Sequence, residues 1–180
     1  VARHEPQKAL DQLVLAFSEV RRRVPGVRLL VAGREGNATP QIRSVIDRLG
    51  LDDRVKLLGH RADVGDLLCG SDVFVLSSVR EGLPGSVIEA MALETPIVAT
   101  AIPQVLEVTG ESGASLVAPN DVDALARGIV DLIESPSSTR DRVAFSRKRF
   151  LDQFTIERAA QGMLDFYERS IADSRAGSRR

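Results

Sequence analysis

Five short apolar runs, "VRLLVAG" (27–33), "VKLLG" (55–59), "DVFVLSS" (72–78), "PIVAT" (96–100) and "ASLVAP" (114–119), recur along the chain, and none alternates polar with apolar residues. Strands of that kind are covered on both faces, which confines them to a sheet held between two layers of helices. Helical periodicity fills the gaps. Apolar residues at 10, 13, 14, 17, 20 and 24 form one buried face that stops at Pro25-Gly26, and further helical segments cover 40–49, 86–93, 103–109 and 121–134. Parallel strands require such crossovers. The pattern therefore predicts an α/β fold, a doubly wound parallel sheet with helices on both faces. From Pro136 onward the strands cease. Residues 138–150 and 154–172 read as two further helices, and "SRAGSRR" as a disordered tail. The expected organisation is a sheet domain over 1–135, C-terminal helices packing on it over 136–172, and a tail over 173–180.

Charge and cysteine content exclude several classes of function. With 24 basic and 25 acidic residues, the formal net charge of -1 offers no electrostatic footprint for nucleic acid. Ten of the basic and six of the acidic residues fall in 140–180, a basic tail whose ordinary reading is a solvated helical face. Its alternative is peripheral contact with an anionic membrane. One cysteine, Cys69, excludes an intrachain disulfide, and its apolar flanks predict a small buried residue. No signal-like or 18-residue apolar stretch is present, so a cytoplasmic setting is expected.

In an open parallel sheet, ligands bind beyond the carboxyl ends of the strands, where helix N-termini point backbone N–H groups. Of the loops at those positions, "SSVREGLPGS" (77–86) is the most unusual. Gly82, Pro84 and Gly85 let the backbone bend and approach a ligand ahead of a helix starting near Ser86. The N–H groups of Ser86, Val87 and Ile88 would then face an anion, worth about 0.3–1 kcal/mol exposed and up to about 2 partly buried. Glu89 has two readings. Ser86-Val-Ile-Glu89 matches an S-x-x-E capping box worth about 1 kcal/mol; the same carboxylate could instead bind a ligand. Glu81 is a solvated loop residue or a ligand contact. Arg3 and Lys8 could neutralise a diphosphate, and Lys8 sits at the start of the first helix, where an acid is favoured. His4 and His60 lack metal-ligand spacing. The absence of a Walker sequence and of G-x-G-x-x-G weighs against P-loop and dehydrogenase functions.

"VARHEPQK" resembles a V-G-R-x-x-x-x-K opening. "VRLLVAG", "DRVKLLGHRADV", "SDVFVLSSVREGLPGSVIEAMALETPIVAT" and "GASLVAPNDVDALARGI" follow in the order found in the C-terminal, nucleotide-sugar-binding half of retaining GT-B glycosyltransferases. The resemblance is strongest to glycosyltransferase family 4, glycosyl transferases group 1, through the E-x7-E of Glu81 and Glu89 with E-A-M-A behind it. It implies a Rossmann-like donor domain. Arg3 and Lys8 would neutralise the donor diphosphate, Glu89 would bind the ribose, and Glu81 would contact the sugar or its phosphate, making Arg3, Lys8 and Glu81 the catalytic set. Gly82, Leu83, Pro84, Gly85, Ser86 and Val87 would line the phosphates and sugar, and His60 and Arg61 the nucleobase. The implied reaction transfers a hexosyl group from a UDP- or GDP-linked sugar to a glycan, lipid or small molecule, without cofactor or essential metal. It requires an N-terminal acceptor half, without which no turnover is expected. Contact with the inner face of a membrane would come through the full-length protein. Glu94 and Pro103-Gln104 depart from the glycines common in the family. A drifted, non-catalytic nucleotide-binding module and a GT-B 2-epimerase relative are the alternatives.

Overall fold

The protein is represented by a computed structural model that describes residues 1–177. Helix α1 (Leu10–Arg23) is followed by β1 (Leu29–Ala32), α2 (Thr39–Arg48), β2 (Val55–Gly59), α3 (Val64–Cys69) and β3 (Phe74–Leu76). Then come α4 (Gly85–Ala92), β4 (Ile97–Thr100), α5 (Pro103–Thr109), β5 (Ser115–Val117), α6 (Val122–Glu134), α7 (Pro136–Gln153) and α8 (Ile156–Gly177). Every strand pair is parallel, with β1 beside β2 and β3 beside β4 beside β5.

Successive side chains of a strand point to opposite faces, and β4 shows what each face meets. Val98 belongs to a core with α1, α2 and α6, including Leu13, Phe17, Ile42 and Ile129. Ile97 and Ala99 belong to a second core with α4 and α5, including Val87, Met91 and Val105. Helices therefore cover both faces, as the unbroken apolar runs predict. Helix α6 lies close enough to the sheet that a Cβ on Gly128 would sit 3.3 Å from Val98 Cγ1.

The structure differs from expectation in five places. The sheet is two ladders, β2-β1 and β3-β4-β5, with a cavity of about 460 Å³ between β1 and β3. Helix α3 was not predicted, because a six-residue helix with one buried side chain, Leu68, has no readable period. Cys69 ends that helix exposed, against the expectation of burial. Pro136 starts α7, where its missing N–H is one that a helix leaves unbonded in any case. Helix α8 continues through 173–177, expected as tail, and 178–180 lie outside the described residues.

Part of the basic charge after residue 140 has an internal role. Arg147 donates to Ala92 O at the end of α4 (2.6 Å), and Arg149 donates to Glu107 O and Val108 O of α5 (2.7 and 2.8 Å). Cationic donors satisfy the carbonyls that helix C-termini leave open. They also fasten α7 beneath the two helices that follow β3 and β4.

Glu94, one of the departures from the family pattern, follows α4 at φ 57°. Its neighbour Thr95 closes the helix by donating to Ala90 O at 3.0 Å. A left-handed residue bearing a Cβ is strained by roughly 1–2 kcal/mol. The Arg147–Glu94 ion pair at 3.7 Å, with Glu94 61% exposed, offsets little of that. Glu94→Gly is expected to raise stability by about 0.5–1 kcal/mol in urea denaturation.

Candidate functional site

The first eight residues cross the carboxyl ends of the strands. Ala2 N donates to Ala32 O at 2.8 Å and His4 N to Arg34 O at 3.0 Å, which lays the segment along the end of β1. Val79 N then donates to Gln7 O at 2.9 Å and Ser77 Oγ to Lys8 O at 2.8 Å, which ties it to the end of β3. Glycine at 33 is what admits this path, since a Cβ there would lie 1.7 Å from Ala2 O. Lys8 closes a 3-10 turn, Pro6–Lys8, and Ala9 makes the reversal into α1 at φ 45°. A strained alanine directly after Lys8 fixes where that side chain leaves the backbone.

Lys8 Nζ donates to both oxygens of Glu81, at 2.8 and 2.7 Å, and Ser78 Oγ donates to Glu81 Oε1 at 2.6 Å. The pair is largely sheltered, with side chains 22% and 8% exposed. Thr100 Oγ1 anchors the loop beneath by donating to Ser78 O. An ammonium has three donors and an ionised carboxylate about four acceptor sites. After these contacts Lys8 retains one N–H and Glu81 one lone pair on Oε2. One remaining cationic donor beside one remaining anionic acceptor matches a ligand that carries an anionic oxygen next to a hydroxyl.

The bend after Glu81 is built differently from the expectation. Helix α4 starts at Gly85 with Pro84 at the cap position, so Ser86 lies inside the first turn and no side chain caps the helix. The capping box is therefore not formed, and Glu89 is exposed. Of the amides expected to face an anion, Val87 N and Ile88 N are bonded to Pro84 O at 2.9 and 3.3 Å, and Gly85 N to Leu83 O. The N–H groups of Gly82, Leu83 and Ser86 have no backbone acceptor among the described residues. Neither Gly82 nor Gly85 has a positive φ, and a Cβ on either would meet nothing within 4 Å. Neither backbone conformation nor internal packing demands these glycines; what they keep clear is the space outside the loop. Leu83 projects into that space at 71% exposure, while Pro84 is buried.

Fully buried His4 is held below its usual pKa, chiefly by burial; its Nδ1 lies 3.1 Å from Thr39 Oγ1, and Nε2 has no partner among the described residues. The unfolded chain therefore keeps a proton that the folded chain has released, so the His4 contribution to stability is complete above the ordinary histidine pKa of about 6.5 and is lost as pH falls below it. Denaturant midpoints measured across that range check this.

The other expected residues are less tightly placed. Arg3 pairs with Glu5 at 3.0 Å and is 67% exposed. Gly33 N donates to Gly59 O at 2.7 Å, which sets the 59–61 loop beside the same edge. There His60 is exposed, and Arg61 pairs with Asp63, its Nε 2.8 Å from Oδ1. That pairing raises the Arg61 pKa and lowers that of Asp63. Sequence reasoning missed Ser78, Thr100 and Ala9. The reversal at Ala9 was signalled only by the step from Pro6 to the helical period starting at residue 10. Among the described residues, no group of three or more His, Cys, Asp or Glu could hold a metal ion, and no helix is long and apolar enough to cross a membrane.

Comparison with known proteins bears on the family and the fold. The family model described as "Glycosyl transferases group 1" matches residues 1–135. The chain is 34% identical to a putative glycosyltransferase, EpsD, of Bacillus subtilis, over 89% of this chain and 42% of that protein. It is 32% identical to the D-inositol 3-phosphate glycosyltransferase of Mycobacterium marinum, over 100% of this chain and 40% of that protein. The fold matches a crystal structure of Anabaena Alr3699/HepE in complex with UDP-glucose with a TM-score of 0.85 at 24% identity, covering 93% of this chain and 48% of that one. The chain thus spans less than half the length of these relatives.

Proposed function

The chain belongs to the glycosyl transferases group 1 family, and from that premise we propose that it is the donor-binding half of a retaining GT-B glycosyltransferase of family 4. It takes a UDP- or GDP-linked hexose in the crevice between residues 1–8 and the loop 77–86. The observation that carries this reading is the Lys8–Glu81 pair, with one donor and one acceptor left over beside the free amides of Gly82, Leu83 and Ser86.

In this reading the spare N–H of Lys8 and the guanidinium of Arg3 meet the diphosphate, and their charge stabilises the leaving group as the bond to C1 breaks. The spare lone pair of Glu81 accepts a hydroxyl of the sugar. Glu89, whose capping role is excluded by the start of α4, accepts the ribose hydroxyls, and His60 and Arg61 border the base. The carboxylates need no metal, because the negative charge of the donor is met by cations of the protein and by backbone N–H groups. Turnover requires the acceptor half that an N-terminal domain supplies, with residues 1–135 as the donor domain and 136–172 as its supporting helices. Its setting is the cytoplasm, with membrane contact made by the full-length protein.

Thermal unfolding with UDP, GDP and ADP tests the reading. A nucleotide at about 100 times its Kd should stabilise the fold by about 2.7 kcal/mol. Glu89→Gln should weaken that nucleotide at least tenfold and shift unliganded stability by less than about 0.5 kcal/mol, as for an exposed residue without partners. No stabilisation by any of the three, or unchanged binding by the variant, would count against it.

A further inference from the structure

Both cations assigned to the donor diphosphate are paired with a carboxylate. Lys8 has Glu81, and Glu5, which has no part in the proposed chemistry, is the only carboxylate paired with Arg3 among the described residues. Resting on the donor-binding reading of the crevice, we propose that Glu5, held in turn by Asn37 in the loop after β1, is a positioning residue that aims the Arg3 guanidinium at the diphosphate.

The Glu5 carboxylate is not used by its own turn. Glu5 occupies the cap position ahead of Pro6–Lys8, yet its side chain caps nothing. The backbone makes the local bonds instead: Glu5 O accepts from Lys8 N at 2.9 Å, and Glu5 N donates to Arg3 O at 2.8 Å. The side chain lies against the loop 33–39. Asn37 Nδ2 donates to Glu5 Oε2 at 3.1 Å, and Oε1 sits so close over Gly36 that a Cβ on that residue would be 2.7 Å from it. His4 docks the same stretch of chain, its N–H donating to Arg34 O at 3.0 Å and its C=O accepting from Ala38 N at 2.9 Å. With its side chain only 17% exposed, Glu5 is a fixed charge.

Arg3 is fixed only through that charge. Its side chain is 67% exposed, with Nε 3.0 Å from Glu5 Oε1. A free arginine loses rotamer freedom when it grips a ligand, and that loss subtracts from affinity. A seated carboxylate on the Nε side restrains the side chain beforehand and leaves both terminal amino groups for a two-point contact with phosphate. A pair this exposed adds little to stability, so its consequence falls on binding. Charge balance points the same way. Arg3 and Lys8 are matched by Glu5 and Glu81, so a diphosphate meets aimed N–H groups and no surplus of positive charge.

Titration of this chain with UDP and with uridine, followed through backbone amide resonances, tests the proposal. Arg3→Ala should weaken UDP about tenfold or more and leave uridine unchanged. Glu5→Ala should weaken UDP about tenfold, again without effect on uridine, and should cause no further loss in an Arg3→Ala background. Glu5→Gln keeps an oxygen beside Nε and a partner for Asn37, and should bind UDP within about twofold of the unaltered chain. Without nucleotide, relaxation of the Arg3 Nε–H resonance should report a restrained side chain that Glu5→Ala sets free. Tighter UDP binding by both Glu5 variants would overturn the proposal, since Glu5 would then compete with phosphate for Arg3. A loss in Arg3→Ala with none in Glu5→Ala would overturn it and leave the donor reading standing. UDP affinity unchanged by Arg3→Ala, or absent from the unaltered chain, would overturn both.

Discussion

Replacing Lys8 by Ala in a full-length enzyme containing this half should lower kcat by about 10²–10³-fold, the loss typical of removing one donor aimed at developing charge, about 2.7–4 kcal/mol. If the contact forms mainly in the transition state, kcat and kcat/KM should fall together. The same substitution leaves Glu81, 8% exposed, with only Ser78 as partner, so the fold should lose about 1.5–3 kcal/mol as well. A double variant separates the two effects. Lys8→Met with Glu81→Gln removes both charges, keeps volume and an acceptor for Ser78, and should recover most of the stability while remaining inactive. A double variant with restored activity would reduce Lys8 to a structural partner of Glu81.

Gly33→Ala should have the larger effect on stability. The new methyl would lie 1.7 Å from Ala2 O and 2.4 Å from Ala2 C, both backbone atoms, so residues 1–8 would have to lift off β1. Overpacking against backbone places the loss at about 3 kcal/mol or more, and nucleotide binding should disappear with the limb that carries Arg3 and Lys8. Gly82→Ala and Gly85→Ala provide the contrast. Their Cβ atoms meet nothing within 4 Å, so stability should change by less than about 0.5 kcal/mol while nucleotide affinity falls. Denaturation midpoints and calorimetric titration with UDP read both outcomes.

What the sequence made legible follows from how local each signal is. Strands β1 to β5 were readable because two-sided burial excludes polar residues from consecutive positions, and α1 and α6 because a long buried face repeats. Helix α3 was not, since six residues hold one buried contact. The division into two ladders was also invisible, because an apolar run does not say which neighbouring strand it pairs with. In the site, the E-x7-E spacing and the basic residues at 3 and 8 drew attention to segments of which the structure brings Lys8 and Glu81 into contact. The bond from Lys8 to Glu81 spans 73 positions, however, and neither residue carries a trace of the other. The capping box failed for a local reason. S-x-x-E matches a pattern whose first residue must be non-helical, and Pro84 takes the cap position one residue before Gly85, which leaves Ser86 inside the helix. The glycines of the bend were read both for conformational freedom and for close approach of a ligand; Gly82 and Gly85 do not take positive φ, and both face open space above the loop.

Titration of the isotopically labelled protein with UDP and with UDP-glucose, followed through backbone amide resonances, tests the donor site most directly. Binding in the Lys8–Glu81 crevice should move the free amides of Gly82, Leu83 and Ser86 together with the backbone amide of Lys8. The Gly26–Leu30 end of the cavity between β1 and β3 should stay unchanged. Shifts concentrated on Gly26–Leu30 and Val73–Val75, or none at saturating nucleotide, would contradict a donor site at the carboxyl ends of the strands.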